Sequence, residues 1–172
     1  MKAEIMKKKP LITRIQRKYG EPNKPGLFVK FTDSRHKKWI GRFAKTEEKG
    51  LCRVIESQHS SLCLVIANGK GYLLDIEKQT LLNEFNEGDP IISALHTTNP
   101  NYFVAGTGNS IFIIDQEDKL KEILPDFAVE GFNLKSQQEN MVSGWLESSI
   151  NQFENAILFK VDLSNFNLTL NY

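Results

Sequence analysis

Leu62-Cys63-Leu64-Val65-Ile66-Ala67, then Asn68-Gly69-Lys70-Gly71, then Tyr72-Leu73-Leu74-Asp75-Ile76 is the stretch that decides the fold class. Its first apolar run has strand length rather than helix length and includes β-branched residues. Asn-Gly between two such runs is the strongest short-range hairpin signal, because both residues accept positive φ in a type I′ turn. Glu77–Gln79 turns the chain again, Thr80–Phe85 reads as a third strand, and Glu87-Gly88-Asp89-Pro90 breaks it.

Toward the C-terminus the pattern recurs. Ile91–His96, Tyr102–Ala105, Ile111–Ile114 and Leu120–Leu124 read as strands, separated by turns at Thr97–Asn101, Gly106–Ser110 and Asp115–Asp118. Leu64–Ala67 with Tyr72–Asp75 overlays Phe103–Ala105 with Phe112–Asp115, so two aspartates fall 40 positions apart. A looser copy pairs Met141–Trp145 with Ile157–Asp162 across a longer loop at Glu147–Glu154, its aspartate 47 positions beyond Asp115. An aspartate closing a strand can bond backbone amides further along the turn. Phe166–Leu170 ends the chain in alternating apolar and polar residues.

Toward the N-terminus, Leu27–Phe31 and Trp39–Phe43 read as a hairpin about the polar Thr32–Lys38, and Leu51–Ile55 as a further strand after the turn Ala44–Gly50. Residues 1–26 carry Pro10, Pro22 and Pro25 and read as a basic extension ahead of one β domain over residues 27–172. Leu11–Tyr19 reads as extended, although its polar spacing also suits a short helix.

A unit of about forty residues, made of short strands with an apolar strand ending in Asp, has the period of a propeller blade. It resembles the blades of WD40-like and quinoprotein-like propellers, without their Gly-His and Trp-Asp signatures. Trp39–Phe43 followed by Leu64–Asp75 is also similar to small bacterial propeller-like proteins, some of them immunity proteins of toxin systems. A closed propeller needs about four blades of four strands. The expected architecture is therefore all-β, with antiparallel meander repeats in an incomplete propeller-like form or a β-sandwich. A homodimer that covers open edges is a further expectation.

The net charge of +1 hides a division. Met1–Arg53 holds 16 basic and 5 acidic residues, a net +11, whereas Val54–Tyr172 is −10. The two fields either satisfy each other or face outward and steer a partner of opposite sign. For a cationic protein, the candidate contacts are Glu84, Glu87, Asp89, Glu117, Asp118 and Glu122. For nucleic acid they are Lys7, Lys8, Lys9, Arg14, Arg17 and Lys18, with Arg35, Lys37 and Lys38 beside Trp39. No helix-turn-helix, zinc finger or RNP motif accompanies them.

Catalytic patterns are missing from the sequence. His59 and Cys63 have ligand spacing but no visible partner pair for a zinc ion. Gly106–Ser110 is glycine-rich but joins two strands and opens no helix, so it reads as a hairpin turn rather than a phosphate loop. Glu47-Glu48 and Glu117-Asp118 fall in turns, and Ser57, Ser60 and Ser61 flank His59 without a nucleophile elbow. Cys52 and Cys63 are expected as two buried reduced thiols, though their spacing permits a bridge. Trp39, Trp145 and the eleven phenylalanines are expected in the core.

The first residues have the charge of a signal peptide but no apolar core, and no run approaches the ~18–20 residues of a membrane span. A cytoplasmic, cofactor-free and metal-free binding module is the expectation, most simply an immunity or inhibitor protein that neutralises a basic toxin such as a nuclease. The alternatives are a nucleic-acid-associated protein and a scaffold subunit of a larger assembly.

Overall fold

The structure is a computed structural model that describes residues 1–11, 13, 15–46, 50–85, 89–126, 129–147 and 157–171. The decisive stretch folds as read. β6 (Leu62–Ala67) and β7 (Lys70–Asp75) pair antiparallel about Asn68 and Gly69, at φ 56° and 90°. Every residue of both strands is buried, which is why the sequence there is a continuous apolar run rather than an alternation. Gly69 supplies the positive φ that a side chain would strain.

The chain divides into two compact units, Met1–Pro90 and Ile91–Tyr172. In the first unit, β5 (Cys52–Glu56), β6, β7 and β8 (Thr80–Phe85) form a four-stranded meander. Its companion sheet is assembled out of sequence order from β1 (Lys2–Ile5), β3 (Gly26–Thr32), β4 (Lys38–Ala44) and β2 (Arg17–Tyr19), with β2 parallel to β4. The N-terminal residues read as an extension thus provide both edges of this sheet. Within Leu11–Tyr19, only Arg17–Tyr19 is a strand; Ile12 and Arg14 lie outside the described residues.

Alternation along β3 and β4 turns Leu27, Val29, Phe31, Trp39 and Phe43 inward onto Cys63, Val65, Tyr72 and Leu74. Phe31 stacks on Trp39 at 4.0 Å, and Phe43 meets Tyr19 at 5.0 Å and Tyr72 at 5.3 Å. Each such pair adds about 0.5–1.5 kcal/mol beyond the area it buries. The Tyr72 hydroxyl donates to Ala44 O at 2.7 Å, so the ring is buried with its polar end satisfied. Both thiols are free, as expected, but only Cys63 is buried; Cys52 is exposed on β5. Burial, with the Glu56 carboxylate adding to it, pushes the Cys63 thiol pKa far up.

The second unit is two plain meanders. β9 (Ser93–His96), β10 (Phe103–Gly106), β11 (Ile111–Ile114) and β12 (Leu120–Ile123) form one. β13 (Gly131–Gln138), β14 (Met141–Glu147), β15 (Ile157–Asp162) and β16 (Asn167–Asn171) form the other. β13 has no counterpart in the sequence reading. Val104, Ile113, Phe132, Val142, Phe159 and Val161 share its core. Gly106 makes the two sheets' close approach possible, since a Cβ there would lie 2.2 Å from Phe132 O. Trp145, expected in the core, is only half-buried.

The repeated aspartate has one more copy than the sequence reading found. Asp33 Oδ1 accepts from the N–H groups of Arg35 and Lys37 at 3.0 and 2.7 Å. Asp115 Oδ1 accepts from Glu117 and Lys119 at 2.8 and 2.9 Å. His36 and Asp118, each three residues on, both adopt positive φ. Asp75 and Asp162 close their turns with a different bond set: Asp75 Oδ1 accepts from Lys78 N–H at 3.1 Å and Asp162 Oδ1 from Ser164 N–H at 2.9 Å. All four sheets therefore contain a strand connection locked by a carboxylate.

Candidate functional site

Charge follows the units. The first holds 18 basic and 11 acidic residues, net +7, and the second 4 and 10, net −6. Each unit offers one charged surface with a geometry that can be described.

In the first unit a cavity of about 470 Å3 is lined by Lys9, Lys18, Lys24 and Arg42 around Ile15, Pro22, Pro25 and Phe28. Phe28 and Arg42 are Cα partners across β3 and β4, and Lys18 is the partner of Arg42 across β2. The Arg42 guanidinium donates to the carbonyls of Glu21, Pro22 and Lys24, which holds the 21–24 loop as the cavity wall. Lys24 also pairs with Glu21 at 2.8 Å. Lys9 and Lys18 are exposed and form no ion pair with a described residue. A smaller cavity of about 190 Å3 shares Lys24 and adds Lys45 and Lys70.

Of the basic residues picked out in the sequence, the structure brings Lys9 and Lys18 to this cavity. Lys7 and Lys8 are exposed beside it in the chain, Arg17 is exposed on β2, and Arg14 lies outside the described residues. Arg35, Lys37 and Lys38 sit at the Asp33 turn, four residues of β4 from Arg42, or about 13 Å. Trp39 cannot serve there as a stacking surface, because it is 1% exposed. Phe28, half-buried in the cavity, is the aromatic that can. Lys24, Arg42 and Phe28 were missed by the sequence reading. Strand parity carried the signal for two of them, since 28 and 42 alternate with the inward Leu27, Val29, Gly41 and Phe43.

The acidic candidates are divided between the units. Glu84 on β8 is tied to Lys70 at 2.8 Å, Asp89 is half-buried, and Glu87 lies outside the described residues. The other three belong to the second unit. Glu117 pairs with Lys119 at 2.5 Å, Asp118 is half-buried in the Asp115 turn, and Glu122 is exposed on β12. Beyond them stand the exposed Asp126, Glu130 and Glu147, and the Glu130 N–H donates to Glu147 O at 2.7 Å, which sets these two side by side. None of Glu122, Asp126, Glu130 and Glu147 pairs with a cation among the described residues. Two leucines lie along the same stretch, Leu120 at 44% and Leu124 at 65% exposure.

The remaining sequence motifs resolve into structure. His59 is exposed in a loop while Cys63 points into the core, and no metal-binding group of three or more ligands forms among the described residues. Gly106–Ser110 is the expected hairpin turn, with Thr107 and Ser110 buried and bonded to each other. No helix is long and apolar enough to cross a membrane among the described residues.

No family model matches the chain, and no curated protein matches it. Among solved structures it is similar to the WD40 domain of Neurospora crassa Pan2, at 17% identity and TM-score 0.50, over 84% of this chain and 48% of that one. It is also similar to hydrazine synthase of Kuenenia stuttgartiensis, at 14% identity and TM-score 0.52, over 97% and 52%. The chain thus spans about half the length of the solved structures it matches. At these identities the likeness concerns the fold, which is β-propeller-like.

Proposed function

We propose that the chain is a non-catalytic protein-interaction module whose acidic second unit binds a cationic protein. The observation that carries this is Leu120–Asp126 with Glu130, where carboxylates that pair with no cation among the described residues flank exposed leucines. Solvated acidic surface has no need of Leu124. An apolar anchor with a charged surround is how specific protein interfaces combine affinity with steering. The WD40-type likeness is consistent with a binding role, although the fold by itself does not decide function, and the surface carries the reading. Neutralisation of a basic toxin, for example a nuclease, is the specific form of this reading.

The test is a titration of the full chain against the product of the adjacent gene, with and without the replacements Glu122→Lys, Asp126→Lys and Glu130→Lys. Association should weaken at least about tenfold in the triple variant and fall with salt. Binding that ignores both the replacements and the salt would overturn the reading.

A second reading rests on the basic cavity of the first unit. Lysines around Phe28 suit the phosphates and bases of single-stranded nucleic acid. Oligonucleotide affinity should then drop steeply with salt and with Lys9→Glu and Lys18→Glu together.

A further inference from the structure

Sheets are protected at their edges by charged side chains, bulges, prolines or covering segments, because an unpaired row of N–H and C=O groups templates another strand. Of the eight edge strands, β1, β2, β5, β8, β12 and β13 each carry at least one charged residue. β9 is covered instead: the Ser93 hydroxyl donates to Phe132 O at 2.6 Å and accepts from Leu134 N at 3.0 Å. Among the described residues, β16 has neither safeguard: it reads Asn167-Leu168-Thr169-Leu170-Asn171, uncharged and without proline, and pairs only with β15.

That sequence is also its own reverse about Thr169. Laid antiparallel against a second copy with Thr169 on the two-fold axis, it sets Leu168 opposite Leu170 and Asn167 opposite Asn171. Like pairs of this kind are what an isologous contact requires. The faces agree as well. Leu168 and Leu170 pack on the core of their own unit, while Asn167, Thr169 and Asn171 are exposed. A slip of one residue between the copies would set leucine opposite asparagine and put the two cores on opposite faces of the joined sheet, so the register is specified. The Asn167 N–H is taken within the strand's own preceding turn, by Asn165 Oδ1 at 2.9 Å.

We propose that β16 is a homodimerisation edge, through which two copies pair antiparallel about Thr169 and join two four-stranded sheets into one. The other edges do not compete, since β9 is covered and the rest carry charged residues, the usual guard against such pairing.

The full chain should sediment as a concentration-dependent dimer. Thr169→Glu should weaken the dimer at least about tenfold, because like charges then face each other across the axis. Lys160, the Cα partner of Thr169 within the sheet, keeps that glutamate compatible with the folded monomer, so its circular dichroism should not change. Thr169→Lys should weaken the dimer too, and mixing the two variants should restore it as a heterodimer. As an independent check, Thr169→Cys in a Cys52→Ser background should oxidise to a covalent dimer, since Cβ atoms directly opposite in a sheet are about 4.5–5.5 Å apart and a small shift brings them within the roughly 3.5–4.5 Å of a disulfide. A wild-type chain that stays monomeric at every concentration would overturn the proposal. So would a Thr169→Glu dimer as tight as wild type, or a mixture that fails to restore association.

Discussion

The two units make four-stranded sheets from different material. In the second, eight strands follow one another as two meanders. Among the described residues its ring contacts are separate pairs, Phe132 with Phe159 at 5.3 Å, His96 with Phe103 at 5.0 Å and Tyr102 with Phe166 at 6.3 Å. In the first, one sheet is a meander, but the other collects strands in the order β1-β3-β4-β2 and rests on a cluster of Tyr19, Phe31, Trp39, Phe43 and Tyr72. Local hairpins specify the meanders. The interleaved sheet has to close longer loops, and the aromatic cluster is what offsets that entropic cost.

If this contrast is right, Phe43→Ala should cost more than Phe159→Ala. Both rings are buried, so each loss should reach about 3–5 kcal/mol. Phe43 touches three aromatic partners against one for Phe159, which should put it higher by about 1 kcal/mol or more. Denaturant midpoints at constant slope would show this, and equal losses would break the comparison.

A smaller difference is expected at the carboxylate turns. Asp33 is 6% exposed and accepts two N–H bonds, whereas Asp115 makes the matching pair of bonds from a half-buried position. Asp33→Ala should cost about 2 kcal/mol and Asp115→Ala about 1 kcal/mol, with Asn at either position recovering most of the loss. Thermal unfolding of the four variants measures it.

These turns also mark what the sequence could and could not reveal. The hairpin β6–β7 was readable because Asn68-Gly69 admits few conformations, and β10–β11 because its residues repeat that pattern. Asp33 was passed over although its turn has the same geometry, because the polar Thr32–Lys38 resembles any surface loop until the bonds to Arg35 and Lys37 are seen. β1 and β2 were hidden for a different reason. Lys2–Ile5 and Arg17–Tyr19 are mostly polar, and their pairing with β3 and β4 is non-local, so no pattern within either segment announces it. β13 starts with Gly131-Phe132-Asn133-Leu134 but runs on through Lys135–Gln138, a polar half that masks the alternation. The basic cavity shares this difficulty, since Lys9, Lys18 and Arg42 meet only through the interleaved order.

Acid should act on the Asp75 turn. Burial alone would raise the Asp75 pKa, but the Lys78 N–H, the Ser61 hydroxyl and the Lys78 ammonium together hold it below the ordinary 3.8. Such a carboxyl binds its proton more readily in the unfolded chain. The stability it contributes is therefore present above about pH 4 and lost as pH falls through the folded value. Asp75→Asn should flatten the acid limb of the stability curve. An unchanged limb would remove Asp75 from the account.

The smallest effect concerns the thiols. Iodoacetamide should label Cys52 on the native chain and reach Cys63 only after unfolding, as mass spectrometry of the intact protein would record. Labelling of both at equal rates would mean that the β6 core opens readily.

The functional account rests on the second unit as the surface that meets a partner. Binding of the full chain to the adjacent gene's product and to a single-stranded oligonucleotide, each at about 50 and 200 mM salt, tests this most directly. The account predicts that the cationic protein binds, weakens with salt and is lost with Glu122→Lys, Asp126→Lys and Glu130→Lys, while Lys9→Glu and Lys18→Glu leave it intact. Binding of the oligonucleotide alone, abolished by the two lysine replacements, would contradict it.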